Sequence, residues 1–257
     1  MNNSVEVSHQ DLVSFVTITK GPYNLLTNEL ITEIIAAHQK ADEYEGTRII
    51  VTRSGVPNMF SHGLDPQYVL DKNQKERSDV FKYIAKLFYG LYSLNKIHIC
   101  LVEGPAMAGG AVLALTSDFR YFQKESGRIS FSETKVGLPM PKALASAIRA
   151  VCSPSYFNDI VLLGRNMDAQ DALVCGLADE VVEASQFDDF CAKQFSRMSR
   201  LSQKVLSHTK KHNRADTLTL ALEFVENQND LYEFLTDDYL GEGLRSLLEK
   251  RYPHYQY

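Results

Sequence analysis

The sequence predicts an α/β fold with parallel strands and a helical C-terminal region. Three observations carry this. Through about residue 140, short β-rich runs alternate with runs of helical spacing, as parallel strands joined by crossover helices require. From Pro141 onward helical spacing continues while strands become scarce. Two glycine-bearing turns, Phe60–Asp65 and Gly104–Gly110, follow or lie close behind predicted strands.

Taken in order, Val5, Val7, Leu12, Phe15 and Thr17 alternate weakly and predict a hairpin turning at His9-Gln10-Asp11. Gly21-Pro22 breaks the pattern. Thr27 is placed to cap a helix whose apolar face is Leu30, Ile31, Ile34 and Ile35, ending near Gly46. Arg48–Thr52 predicts a buried strand. Val80, Tyr83, Ile84, Leu87, Phe88 and Leu91 have helical spacing within Gln74–Leu94, and Lys96–Val102 is the next strand. A short apolar helix over Ala111–Leu115 and strands over Asp118–Gln123 and Ile129–Phe131 follow. Short helices are expected over Ala145–Val151, Pro154–Leu163 and Ala169–Cys175. A longer helical region over Ala184–His212 precedes helices at Thr217–Leu235 and Gly243–Lys250. No solenoid repeat, low-complexity segment or linker divides the chain.

Its 257 residues suffice for one large domain or a domain with a small appendage. Hydrophobic residues at 44% and charged residues at 23% are an ordinary globular balance. A net charge of −5 argues against a nucleic-acid partner, which usually meets a basic excess. Cys100, Cys152, Cys175 and Cys191 form no C-x-x-C pair and have no histidine at metal-ligand spacing, so they read as free thiols and no metal site is expected. Met1–Glu6 lacks a charged leader followed by an apolar run, no apolar run reaches membrane-spanning length, and the C-terminus is not a peroxisomal address. The expectation is a soluble cytoplasmic protein without a membrane partner.

Three features point to chemistry. A Gly-Gly pair at a strand-to-helix turn lets the backbone approach a ligand and leaves amide N–H groups unpaired at the helix start. Such groups can receive developing negative charge. The Phe60–Asp65 turn is the second feature. Glu133, in Ser130–Pro139, is the third, and gains interest only in combination with the two turns.

The order of motifs resembles the crotonase (enoyl-CoA hydratase/isomerase) superfamily. Pro-Tyr-Asn-Leu-Leu (Pro22–Leu26) is followed by F-x-x-G-x-D (Phe60–Asp65), x-G-x-A-x-x-G-G (Glu103–Gly110) and D-x-R (Asp118–Arg120). S-E-x-x-x-G-L-P (Ser132–Pro139) and the run Ala172–Val182 complete the set. Each motif is loose, but six in order are specific. The resemblance implies a ClpP-like spiral of ββα units over residues 1–195, bearing an acyl-CoA site. It also implies a helical trimerisation region over 196–257, giving a homotrimer or a dimer of trimers. It implies an acyl-CoA thioester substrate, with coenzyme A only as part of that substrate and no separate cofactor. Matched residue by residue, the oxyanion-binding amides fall on His62 and Gly109, and the acid/base on Glu133. The substrate contacts fall on Asn24, Leu25, His62, Gly63, Leu64, Asp65, Gly109, Gly110 and Val112.

The chain departs from the hydratase pattern at one position. Hydratases use two glutamates, and the first falls here on Val112, which cannot carry a proton. One glutamate suffices to shift a double bond by taking a proton at C2 and returning it at C4. The expected activity is therefore enoyl-CoA isomerisation. An enoyl-CoA hydratase or other acyl-CoA lyase or hydrolase, with His62, Asp65 or Tyr68 replacing the missing carboxylate, is the alternative. A non-catalytic CoA-thioester-binding subunit is the second.

Three further groups stand out. The basic stretch Lys204, His208, Lys210, Lys211, His212 and Arg214 is either a solvated helix face or a contact for CoA phosphates. Phe81, Tyr83, Phe88, Tyr89 and Tyr92 are either core or an acyl-tunnel wall. The aromatic tail Tyr252–Tyr257 either covers the CoA pocket or lies free.

Overall fold

A computed structural model describes residues 4–255. Strands β1 (Val5–Gln10) and β2 (Val13–Ile18) form an antiparallel hairpin. Its turn is Asp11-Leu12, later than expected, because His9 and Gln10 complete the ladder opposite Ser14 and Val13. Thr27 caps α1 (Asn28–Glu43) by accepting from Leu30 N. Then come β3 (Ile49–Ser54), α2 (Pro66–Leu70), α3 (Gln74–Tyr92), β4 (Ile97–Val102) and β5 (Pro105–Met107). These lead to α4 (Gly109–Leu115), β6 (Phe119–Gln123), β7 (Arg128–Ser130) and a 3₁₀ turn at Thr134–Val136. Next are α5 (Lys142–Val151), α6 (Phe157–Val161), β8 (Met167–Asp168), α7 (Ala169–Cys175) and β9 (Glu180–Val182). The chain closes with α8 (Phe187–Met198), α9 (Gln203–Glu226), α10 (Asn229–Tyr232), a π-helical turn at Asp237–Gly241 and α11 (Glu242–Leu248).

The strands divide between two sheets. One runs β1-β2-β3-β4-β6-β9 and is parallel apart from the hairpin. The other runs β5-β7-β8, with β5 and β7 parallel. The chain crosses from the large sheet to the small one after β4 and after β6, and returns before β6 and before β9, which winds it into a spiral. Four short elements escaped the sequence pattern: α2, β5, β8 and β9 have two to five residues, too few to show a period. The single helical region expected over 184–212 is two helices broken at Ser199–Ser202, and α9 runs on past Thr217 to Glu226. Residue 195 lies inside α8.

Alternation along the strands sorts the core. Ile49 and Val51 of β3 and Ile97, Ile99 and Leu101 of β4 pack with Phe187, Cys191, Phe195 and Met198 of α8. Ile50, Cys100 and Val102 point the other way, toward Ile31 and Ile34 of α1 and Leu87 and Phe88 of α3. A third cluster joins Val80, Phe81, Leu138, Phe224, Leu231, Leu240 and Leu244. The aromatic run in α3 is therefore mostly core: Phe81, Phe88 and Tyr92 are buried. The four cysteines are free and buried.

The basic stretch in α9 is split by burial. Lys210 and Arg214 turn inward onto Asp118 at 2.7 and 2.8 Å. Arg214 also donates to Tyr92 O and Ser117 O, so its buried charge is paired and hydrogen-bonded. Lys204, His208, Lys211 and His212 remain exposed. The D-x-R strand is thus a structural clip at both ends: Asp118 holds α9, and Arg120 pairs with Asp179 at 2.7 Å and donates to Leu177 O.

Between α1 and the large sheet lies a buried polar chain. His38 Nδ1 donates to Ile34 O, which leaves Nε2 to accept from the Thr52 hydroxyl at 2.6 Å. Thr52 Oγ1 in turn accepts from His98 Nε2 at 2.8 Å. Burial holds both imidazoles uncharged, pushing the His38 pKa down from 6.5 to about 4. The unfolded imidazoles bind protons near 6.5 and the native ones do not. Their uncharged fit is intact above that pH and is lost as pH falls toward 4. Thr52→Val leaves His38 Nε2 without a partner among the described residues and His98 Nε2 with only the Cys100 Sγ contact at 3.9 Å, and is expected to cost about 2–3 kcal/mol in urea denaturation at neutral pH. Wild-type stability should decline as the pH is lowered below 6.5.

Candidate active site

Three turns meet because parallel strands deliver their C-terminal ends to one side. In the small sheet Met107 of β5 stands opposite Ser130 of β7, and Ala108 N donates to Ser130 O at 2.8 Å. Gly109 starts its helix two residues after Met107, and Glu133 follows Ser130 by three. The Phe60–Asp65 turn joins the same layer through a parallel bridge between Ser61 and Ala106, and a second bridge ties Leu64 to Leu26.

The hydrogen bonds of these turns decide which amides are free. His62 N donates to Tyr23 O at 3.0 Å, so the expected His62 oxyanion donor is already used. Leu26 N donates to Gly63 O and Asp65 N to Leu26 O. In extended chain the backbone groups of the residue between point the opposite way. Leu64 N therefore faces away from Leu26, and it has no hydrogen-bond partner among the described residues; neither has Gly109 N. The two segments are in contact. A Cβ on Gly63 (φ +82°) would fall 2.7 Å from Gly109 N, and one on Gly109 would fall 3.4 Å from Leu64 N. The free pair is Leu64 and Gly109. Ala108 caps α4 at φ 48°, ψ −117°, a sparsely populated conformation for a residue with a Cβ. Such local strain persists only where the surroundings impose it.

The other expected contacts fall differently. Asn24 is fully buried at φ 46°: its side chain donates to Ser54 Oγ and Phe60 O and accepts from Lys20 N. It organises the loop and presents no group to a ligand. Leu25 is half-buried. Asp65 is the N-cap of α2, with Oδ1 accepting from Gln67 N and Tyr68 N, and Lys72 Nζ sits 4.3 Å over the Tyr68 ring. The exposed His62 ring stacks on Tyr23 at 5.1 Å. Gly110 packs against Ser61 O, which a Cβ would strike.

Glu133 opens the 3₁₀ turn Thr134–Val136, and its carbonyl accepts from Val136 N and Leu138 N. Its Oε2 is out of reach of solvent and, among the described residues, is the one buried carboxylate oxygen without a partner. Desolvation pushes its pKa from 4.5 up to about 7, against the pull of its own backbone N–H. Val112 is 1% exposed in the main core, and α4 carries no titratable side chain. No cluster of three His, Cys, Asp or Glu side chains fit for a metal occurs among the described residues. A cleft of about 620 Å³, between Pro139–Ala143 and the Phe224–Phe234 region, begins six residues beyond Glu133.

The sequence expectation falls on His62, whose amide the fold pairs with Tyr23 O; the unpaired amide of this turn, among the described residues, lies two residues on, at Leu64. The signal that finds Leu64 is the glycine itself: the kink at Gly63 is where pairing passes from β5 to Leu26, and the next amide is left over. Gly63→Ala should lower kcat/KM on an enoyl-CoA by about 10²–10³-fold, the usual worth of one such donor. The check is steady-state kinetics beside a urea midpoint, which should show the protein still folded.

The enoyl-CoA hydratase/isomerase family matches residues 9–257. The rat protein "Enoyl-CoA delta isomerase 1, mitochondrial" is 27% identical over 96% of this chain and 86% of its own length. A putative enoyl-CoA hydratase of Thermus thermophilus is 26% identical over 90% of this chain and 92% of its own. The crystal structure of human mitochondrial delta3-delta2-enoyl-CoA isomerase superposes with a TM-score of 0.91 at 23% identity, covering 96% of this chain and 98% of that one. The spiral is thus the crotonase fold, and the chain belongs to the enoyl-CoA hydratase/isomerase family.

Proposed function

We propose that this protein is an enoyl-CoA isomerase that moves a 3-enoyl-CoA double bond into conjugation with the thioester. The observation that carries the reading is Glu133, a desolvated carboxyl with an unpartnered oxygen and a pKa near 7, standing alone because its usual second carboxylate is Val112. The thioester oxygen rests on Leu64 N–H and Gly109 N–H. The Glu133 carboxylate takes a proton from C2, and electrons move onto the carbonyl oxygen to give a dienolate. The two amides stabilise that charge without reorganising. Glu133, now a carboxylic acid, returns the proton at C4, the C2–C3 double bond forms, and the carbonyl is restored. The carboxylate is regenerated, so one group serves as base and acid. Coenzyme A enters and leaves as part of the substrate.

Val112 disfavours hydration, since water addition needs a second proton-carrying group in place. Asp65, Tyr68 and His62 do not replace it readily: Asp65 is committed as a helix cap, and the other two rings are held by Lys72 and Tyr23. The cost of burying Glu133 speaks against a non-catalytic binding subunit. Its folded pKa lies above the unfolded 4.5, so ionising it opposes folding as pH rises through about 7.

Incubation with 3-enoyl-CoA should yield the conjugated thioester, with hydration of 2-enoyl-CoA negligible beside it. Hydration at a comparable rate would sink the assignment. Glu133→Gln should lower kcat by about 10³-fold. Wild-type kcat/KM should rise with pH through about 7, as the base ionises. Above that pH, Glu133→Gln should be the more stable protein by up to about 3 kcal/mol.

A further inference from the structure

The turn that carries Glu133 is closed by its own backbone hydrogen bonds, from Lys135 N and Val136 N to Ser132 O and from Leu138 N to Glu133 O, but these do not fix where it sits against the rest of the fold. Thr134–Val136 is a single 3₁₀ turn with no side-chain cap and no buried residue. Most of its outside contacts come from the segment 239–255. Gly243 of α11 lies so close that a Cβ there would fall 2.4 Å from Val136 O and 2.5 Å from Val136 C and Cα. Gly137, at φ +77°, closes the turn against the Tyr239 peptide, where a Cβ would fall 2.8 Å from both C and O. Tyr255 Oη donates to Lys135 O at 3.0 Å. On the opposite side Lys135 Nζ donates to Gly164 O.

The same C-terminal segment is anchored to the loop of the free amides. Arg77, almost fully buried in α3, pairs with Asp237 at 2.8 Å and donates to Leu235 O. Its Nε donates to Val69 O in α2, the helix that Asp65 caps directly after Leu64. At the far end Glu242 accepts from Arg251 with both oxygens and from His254 N, which folds the tail back toward Lys135. One segment therefore touches both halves of the site.

We propose that Asp237–Tyr255 is a brace that fixes Glu133 relative to the Leu64 and Gly109 amides, with Gly243 and Tyr255 as its positioning residues. This rests on the catalytic reading of Glu133. The brace acts through the backbone of residues 135–137. Shifting that backbone moves the carboxyl off C2 and opens it to water, and a misplacement of about 1 Å is worth about 100-fold in rate.

The test compares Gly243→Ala, Tyr255→Phe and Glu133→Gln with Gly90→Ala as control. An added Cβ at Gly90, also in a helix, would make only an ordinary contact with Ile35 at 3.6 Å. The readouts are kcat on 3-enoyl-CoA, affinity for a saturated acyl-CoA, and the titration of the Glu133 carboxyl by ¹³C NMR. Gly243→Ala should lose about 100-fold in kcat. Tyr255→Phe, which removes only the hydroxyl, should lose about 10-fold, by the same dependence on position. In both, saturated acyl-CoA should bind as in wild type and Glu133 should titrate at lower pH. Gly90→Ala should change none of these. If both brace variants keep wild-type kcat and Glu133 titration while Glu133→Gln is inactive, the brace is wrong and the catalytic reading stands. If Glu133→Gln turns over normally, the reading beneath it falls. Should Gly243→Ala not fold, Tyr255→Phe decides alone.

Discussion

A Cβ on Gly63 would sit 2.7 Å from Gly109 N, and one on Gly110 would collide with Ser61 O. Two backbone segments from different parts of the chain thus approach more closely than side chains permit, and the site depends on that approach. It arises from the small sheet, where Ser61 bridges to Ala106 and β7 lies parallel to β5. With the neighbouring amides committed to Tyr23, Leu26 and Ser61, the Leu64 and Gly109 N–H groups remain unpaired among the described residues. A pair of unpaired amides, one on half-buried Leu64 and one on buried Gly109, beside a strained Ala108 suits a place that receives charge.

The proposed proton chemistry follows from the same enclosure. Glu133 loses water without gaining a partner for Oε2, which lifts its pKa to about 7. A base of that strength takes a proton better than an ordinary carboxylate, and its conjugate acid still returns it. Two preorganised donors lower the remaining mismatch with a thioester α-carbon. Val112 keeps the region beside Gly109 apolar, so α4 offers the proposed base no second carboxylate.

Much of this was legible in the sequence, and the failures have physical causes. Thr27 as a cap, the α1 and α3 faces and the parallel strands β3, β4 and β6 follow from residue periodicity and were expected within a few residues. Elements of two to five residues, such as β5 and β8, carry no period, yet β5 aligns the entire site. The motifs single out Glu133 and Gly109, and the structure has a desolvated carboxyl at the first and, among the described residues, an unpaired amide at the second. The partner amide was placed on His62, because a motif gives the loop but not which N–H groups the fold consumes. That information lies in tertiary pairs such as His62 N to Tyr23 O. For Asn24 the motif likewise gave a position but not a direction, since only the fold shows its amide bonding inward to Ser54 and Phe60. Lys210 and Arg214 look like surface charge in sequence and are buried because Asp118 waits under α9.

The central claim is that the Leu64 and Gly109 amides together polarise a bound thioester. The most direct measurement is the infrared carbonyl stretch of a saturated acyl-CoA carrying ¹³C at C1, free and bound. It requires no turnover and is independent of which reaction follows. The account predicts a clear shift to lower frequency on binding, as two N–H donors lengthen the C=O bond. A bound carbonyl that absorbs where the free one does would contradict it.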